Sequence, residues 1–141
     1  MMKIIKNSMV LIPLLLLFFT SCEEKTEVNV SVFTQNYTVY QKDWNVGNDD
    51  ESGPYFYYEF REPNLTQQIY DRGIMQAFIV LRNQNISPLP FDDFWYEDGY
   101  RWTEQVTCEF RPGYVTFILK YNDHAAEKAY YTYDFRVRFM W

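Results

Sequence analysis

Residues 100–110 alternate as a half-buried strand must. Tyr100, Trp102, Val106, Cys108 and Phe110 fall on one face, and Arg101, Thr103, Gln105, Thr107 and Glu109 on the other. Side chains of an extended chain point to opposite faces in turn, so this period of two specifies a strand with one wet side. Arg111-Pro112-Gly113 then supplies turn chemistry, and 114–121 returns as the partner strand.

The same period recurs along the chain. A strand is expected at 28–32 with Val28, Val30 and Val32 as its apolar face, and another at 37–44 before a turn-rich run, 45–54. A third, nearly all aromatic, covers 55–61. Pro63 and Asn64 precede Leu65-Thr66-Gln67, where Asn64 as cap and Gln67 as its capping-box partner predict a short helix near 65–72, closed by Gly73. Strands follow at 74–81, with Met75, Ala77, Ile79 and Leu81 or their neighbours inward, and at 91–96 as a short edge beyond the loop 83–90. The last strand, 130–141, places Tyr133, Phe135, Val137, Phe139 and Trp141 on one side. Thirteen Tyr, twelve Phe and four Trp supply the core, and such rings favour pleated surfaces where they pair across strands. The expected fold is all-β: a single antiparallel β-sandwich of the immunoglobulin-like class with one short helix, over residues 28–141.

Residues 1–21 have the form of a lipoprotein signal peptide. Lys3 and Lys6 precede an apolar run, 9–19, and Thr20 and Ser21 lead into Cys22. The run is too short to span a hydrocarbon core of roughly 30 Å. This ending resembles a lipobox, with Phe19 in place of the usual Leu, and implies acylation of Cys22. Residues 22–27 form the lipid-anchored tether. Glu23 and Glu24 directly after the cysteine resemble the surface-export signal of Bacteroidota lipoproteins. The expected location is the bacterial outer membrane, at the cell surface, with the periplasmic face as the alternative.

Beyond residue 21 the chain carries eight more acidic than basic side chains. Such a surface repels phosphate backbones, so nucleic acid is not an expected partner, and membrane attachment falls to the lipid. Acylation of Cys22 leaves Cys108 as the one remaining thiol, without an intramolecular disulfide partner.

Lys42-Asp43-Trp44, Tyr55-Phe56-Tyr57-Tyr58, Leu89-Pro90-Phe91, Pro112-Gly113 before Val115-Thr116-Phe117, and Tyr133-Asp134-Phe135-Arg136-Val137 occur together. In this combination the chain resembles a group of small Bacteroidota surface lipoproteins. The resemblance implies a β-sandwich and an envelope location, and it transfers no active site.

Chemistry is constrained by what the chain lacks. His124 is the only histidine, so no His/Cys metal quartet can be assembled, and Cys108 on an apolar face is a small hydrophobe rather than an activated nucleophile. No cofactor, no metal and no enzymatic activity are expected. The acidic turn 48–53 offers oxygen ligands without the spacing of an EF-hand, and a solvated turn is the default reading against calcium. Asp92-Asp93-Phe94-Trp95-Tyr96-Glu97-Asp98 mixes carboxylates with rings. A flat ring stacks on the apolar face of a pyranose while a carboxylate accepts from its hydroxyls. Trp44, Trp95, Tyr96, Asp92 and Asp93 are therefore candidate ligand-binding residues, weighed against their service as core or strand-edge residues. The expected function is a non-enzymatic surface module binding an extracellular ligand, glycan first. The alternative is a structural or accessory subunit docking another envelope protein.

Overall fold

The alternation sorts the chain into two antiparallel sheets packed face to face, in a computed structural model that describes residues 29–50, 53–122 and 127–141. The expected signal peptide, Cys22, the tether, Val28, Glu51, Ser52 and His124 lie outside the described residues. One sheet has the order β1 (Val32–Val39), β9 (Tyr133–Met140), β4 (Ile74–Val80) and β5 (Ile86–Pro88). The other has β2 (Asn45–Asp49), β3 (Gly53–Arg61), β8 (Tyr114–Asn122), β7 (Tyr100–Arg111) and β6 (Phe91–Glu97). A short helix, α1 (Gln67–Arg72), the one α-helix among the described residues, carries the chain from β3 to β4.

The core lies where the middle strands meet. Val115, Phe117, Leu119 and Tyr121 of β8 are buried, as are Tyr133, Phe135, Val137 and Phe139 of β9. Phe117 and Phe135 stack across the sheets with centroids 3.9 Å apart and planes 8° apart. Tyr37 meets the edge of Phe117 at 5.6 Å, and Phe139 packs on Phe33 at 5.8 Å, extending the contact along the interface.

Several elements differ from the sequence expectation. The first strand begins at Val32 rather than 28, and Val30 and Val32 are exposed. Pairing of Phe33 with Phe139 and Tyr37 with Phe135 turns the odd-numbered residues inward. Rings bury more apolar surface than valines, and a one-residue change of phase exchanges the two faces. The strand expected at 37–44 stops at Val39. A single 3-10 turn, Gln41–Asp43, follows and places Trp44 against the edge of Tyr133 at 5.8 Å. Much of the expected turn 45–54 is strand: β2 pairs with β3, and Tyr55 lies over Gly47, where a Cβ would come within 2.4 Å of its ring. The helix is capped by Thr66, whose hydroxyl accepts from the Ile69 amide at 3.3 Å, while Gln67 bonds Asp71 instead of closing a capping box. Trp141 is exposed at the end of the sheet, although its backbone still exchanges hydrogen bonds with Ser31 at 2.8 and 3.1 Å.

Asn64 serves a different group. Its side-chain and backbone nitrogens donate to Glu62 Oε1 at 2.9 and 3.1 Å, and the Tyr37 hydroxyl donates to Glu62 Oε2 at 2.6 Å. The Glu62 amide donates to Gly113 O at 2.7 Å, so this buried residue ties β1 and the α1 entry, through its carboxylate, to the β7–β8 hairpin, through its backbone. Burial and this bond push the Tyr37 hydroxyl pKa well above its ordinary value.

Replacing Phe117 by Ala removes one half of the central stack, and a urea melt is expected to show a loss of about 3–5 kcal/mol. A loss below 1 kcal/mol would mean that the sheets are held elsewhere.

Candidate functional site

Strand β6 is the edge of its sheet, and only Leu89 and Pro90 separate it from β5, the edge of the other. Asp98 (φ 50°) and Gly99 (φ 85°) turn the β6–β7 hairpin, and two positive φ values in succession are the signature of a tight type I′ turn. The register sets Phe91 opposite Val106, Asp93 opposite Glu104 and Trp95 opposite Trp102 on the inner face. Phe94 opposite Thr103 and Tyr96 opposite Arg101 occupy the outer face. The hairpin therefore presents two surfaces of different chemistry.

The outer surface is aromatic and wet. Phe94 is 80% exposed and Tyr96 69%, whereas Tyr100, opposite Glu97 beside the turn and in phase with Trp102, was expected inward and is 71% exposed because the sheet ends there. The Arg101 guanidinium sits 5.6 Å from the centre of the Tyr96 ring, and the side chains about it bound a depression of about 400 Å³.

On the inner side, a cleft of about 490 Å³ runs between the sheets, with Leu81, Arg82, Asp93, Trp95, Glu104, Tyr131 and Tyr133 among its walls. Its rings are stacked: Trp95 lies 6.2 Å from Trp102 with planes 9° apart, and 5.3 Å from Tyr131 with planes 24° apart. Arg82 covers Tyr131 at 5.1 Å.

Glu104 is the chemically unusual member. It is 3% exposed, and its Oε2 has no hydrogen-bond partner among the described residues. The buried Trp95 Nε1 and Tyr133 hydroxyl are likewise unpartnered. The Tyr133 hydroxyl lies beside Glu104 and Tyr121 and acts on both as a polar neighbour at hydrogen-bonding range, although neither contact reaches full hydrogen-bond geometry. Burial pushes the Glu104 pKa up to about 6; the Tyr133 hydroxyl opposes that shift in part, and the Asp93 carboxylate adds to it. Burial also pushes Tyr133 up, and Tyr121 up to about 12, so both hydroxyls stay protonated. Glu62, the other buried carboxylate, has both oxygens bonded.

The sequence-derived candidates separate in space. Tyr96 and Asp92 face outward and exposed, whereas Asp93 and Trp95 face inward and are half-buried. Trp44 is in the core, where it packs against Tyr133 at 5.8 Å, and it borders a different depression with Phe56 and Lys128 rather than the cleft. Burial pushes the Cys108 thiol far up, which disfavours a thiolate. Among the described residues no three His, Cys, Asp or Glu side chains converge as metal ligands would. Glu104 was missed by motif reasoning although its signal is simple. It is the acid on the apolar face of 100–110, between Trp102 and Val106.

No protein-family model, curated protein or solved structure matches the chain.

A glutamate that ordinarily titrates at 4.5 and is held near 6 in the fold binds its proton more tightly when folded. Its contribution to stability is complete below pH 4.5 and is lost as pH rises through 6, amounting to about 2 kcal/mol at pH 7. Glu104→Gln is therefore expected to be more stable than the parent at pH 7 by about that amount, and to lose the advantage by pH 4. Urea melts across this range check it, and a destabilised variant at every pH would contradict it.

Proposed function

We propose that the protein is a non-enzymatic, lipid-anchored cell-envelope protein that binds an extracellular glycan at the outer face of the β6–β7 hairpin. The observation that carries this reading is the pair of exposed rings Phe94 and Tyr96 on the outer face of the hairpin, with a third exposed ring, Tyr100, at its turn. Contiguous apolar surface left in water marks an interaction site, and flat rings stack on the apolar face of a pyranose. Asp92 on the same face supplies an acceptor and Arg101 a donor, the polar partners that sugar hydroxyls need. Trp95, by contrast, leans on Trp102 and Tyr131, so it supports the hairpin rather than serving as an open stacking surface.

The anchor in this reading is Cys22, after removal of residues 1–21, and the outer-membrane surface is the location, supported by the Glu23-Glu24 pair and the likeness to Bacteroidota lipoproteins. The sandwich belongs in the immunoglobulin-like class, a reading supported by antiparallel sheets between which the chain crosses at β1–β2, β3–β4, β5–β6 and β8–β9. A second reading, docking of another envelope protein, is favoured by the position of β6. It is an edge strand, with one side of its backbone open to pairing.

A glycan array with the full chain tests the first reading. Phe94→Ala and Tyr96→Ala are each expected to weaken the selected glycan about tenfold or more, with stability changed by less than about 0.5 kcal/mol. Trp95→Ala is expected to cost about 3 kcal/mol in a urea melt. An array without hits, together with retained capture of an envelope protein through the same rings, would put docking ahead. Cys22→Ser is expected to release the protein from membranes in fractionation, and a variant that stays membrane-bound would count against the anchor.

A further inference from the structure

The inner cleft has properties that the outer rings do not share. A carboxylate oxygen withdrawn from water is costly unless it is paired, and in folded proteins such groups are almost always satisfied. Glu62 follows that rule. Glu104 does not: it is 3% exposed, its Oε2 is unpartnered, and it lines a space of about 490 Å³.

The surroundings define what would satisfy it. Trp95, Tyr131 and Tyr133 wall the cleft, and aromatic faces attract cations through the ring quadrupole. Tyr131 already carries one, the Arg82 guanidinium at the mouth. The charged groups around the space are Asp93 on β6, Asp134 on β9 and Arg82, so with Glu104 the acids outnumber the base. The titratable hydroxyls facing Glu104 are Tyr133 on β9 and Tyr121 on β8, both neutral. An anion would be repelled here. A neutral hydroxyl could donate to Glu104 but would gain nothing from the rings' faces.

We infer that the cleft between the sheets is a binding site for a primary ammonium group, which donates to Glu104 Oε2 and lies against the Trp95, Tyr131 and Tyr133 rings. The volume admits the ammonium with an attached chain or ring of small-molecule size. This site is independent of the glycan reading, since it uses the opposite face of β6. Binding requires the carboxylate ionised, so affinity rises with pH through 6.

Isothermal titration of the full chain with cadaverine and with its neutral isostere pentane-1,5-diol tests it, and neither probe contains a sugar ring. Cadaverine is expected to bind about tenfold or more tightly than the diol at pH 7, and to lose about tenfold in affinity at pH 5. Glu104→Gln is expected to bring cadaverine down to the level of the diol. Glu59→Gln, which removes a carboxylate from the outer face where it pairs with Arg111, is expected to leave cadaverine binding unchanged. Equal affinity for the two probes would make this a hydroxyl site and overturn the inference. So would equal losses in the Glu59 and Glu104 variants, which would reduce the effect to overall charge. Absence of binding by either probe would mean that Oε2 holds only a trapped water.

Discussion

The stack of Phe117 on Phe135 sets the terms for the rest of the molecule. It joins β8, the middle of one sheet, to β9, which is flanked on both sides in the other. Two interior strands are held in contact by rings that interdigitate with Tyr37, Phe33, Phe110 and Phe139. Packing of that kind fixes the sheets at their centre and leaves their edges to be finished by other means. On one side the finish is incomplete. Edge strand β5 has three residues and edge strand β6 seven, and the cleft lies against the inner face of β6 that this mismatch leaves uncovered. The same edge position gives the hairpin its exposed outer rings. Both candidate surfaces are consequences of where the aromatic core stops.

Two buried acids show what separates structure from function in this fold. Glu62 and Glu104 are exposed to nearly the same small extent, 4% and 3%. Glu62 is surrounded by donors drawn from its own turn and from β1, and its bonds hold a corner together. Glu104 faces a cavity, and its neighbours are rings, protonated hydroxyls and another carboxylate. A residue of the first kind stabilises by being satisfied. One of the second kind lowers stability at neutral pH, and in the binding site inferred for the cleft this would be an exchange of stability for function.

Much of this was legible in the sequence. Alternation in 100–110 and 130–141 located two interior strands and most of their inward residues, Tyr100 and Trp141 at the ends excepted, because large rings on one face leave a sheet little choice of orientation. Where alternation was carried by small residues it misled, and Val30 and Val32 lost the interior to Phe33 and Tyr37. Strand β2 was hidden because Asn45, Gly47 and Asn48 have turn chemistry, and only pairing with β3 makes them strand. Trp44 illustrates the limit for the site: near a loop in sequence, it is carried into the core by one 3-10 turn. The cleft was illegible for a related reason, since Tyr131 and Arg82 reach Trp95 only through pairing across two sheets.

The most direct test is a site-resolved measurement of the Glu104 carboxyl itself. Carbon-13 NMR of the glutamate side-chain carboxyls across pH 3 to 8 reports its titration without recourse to global stability. The account predicts a midpoint near 6, well above the ordinary 4.5. It also predicts that saturating cadaverine shifts the midpoint down by about one unit, since a bound ammonium stabilises the ionised form. A midpoint in the ordinary glutamate range, unmoved by cadaverine, would contradict it, because the carboxylate would then already be solvated or paired.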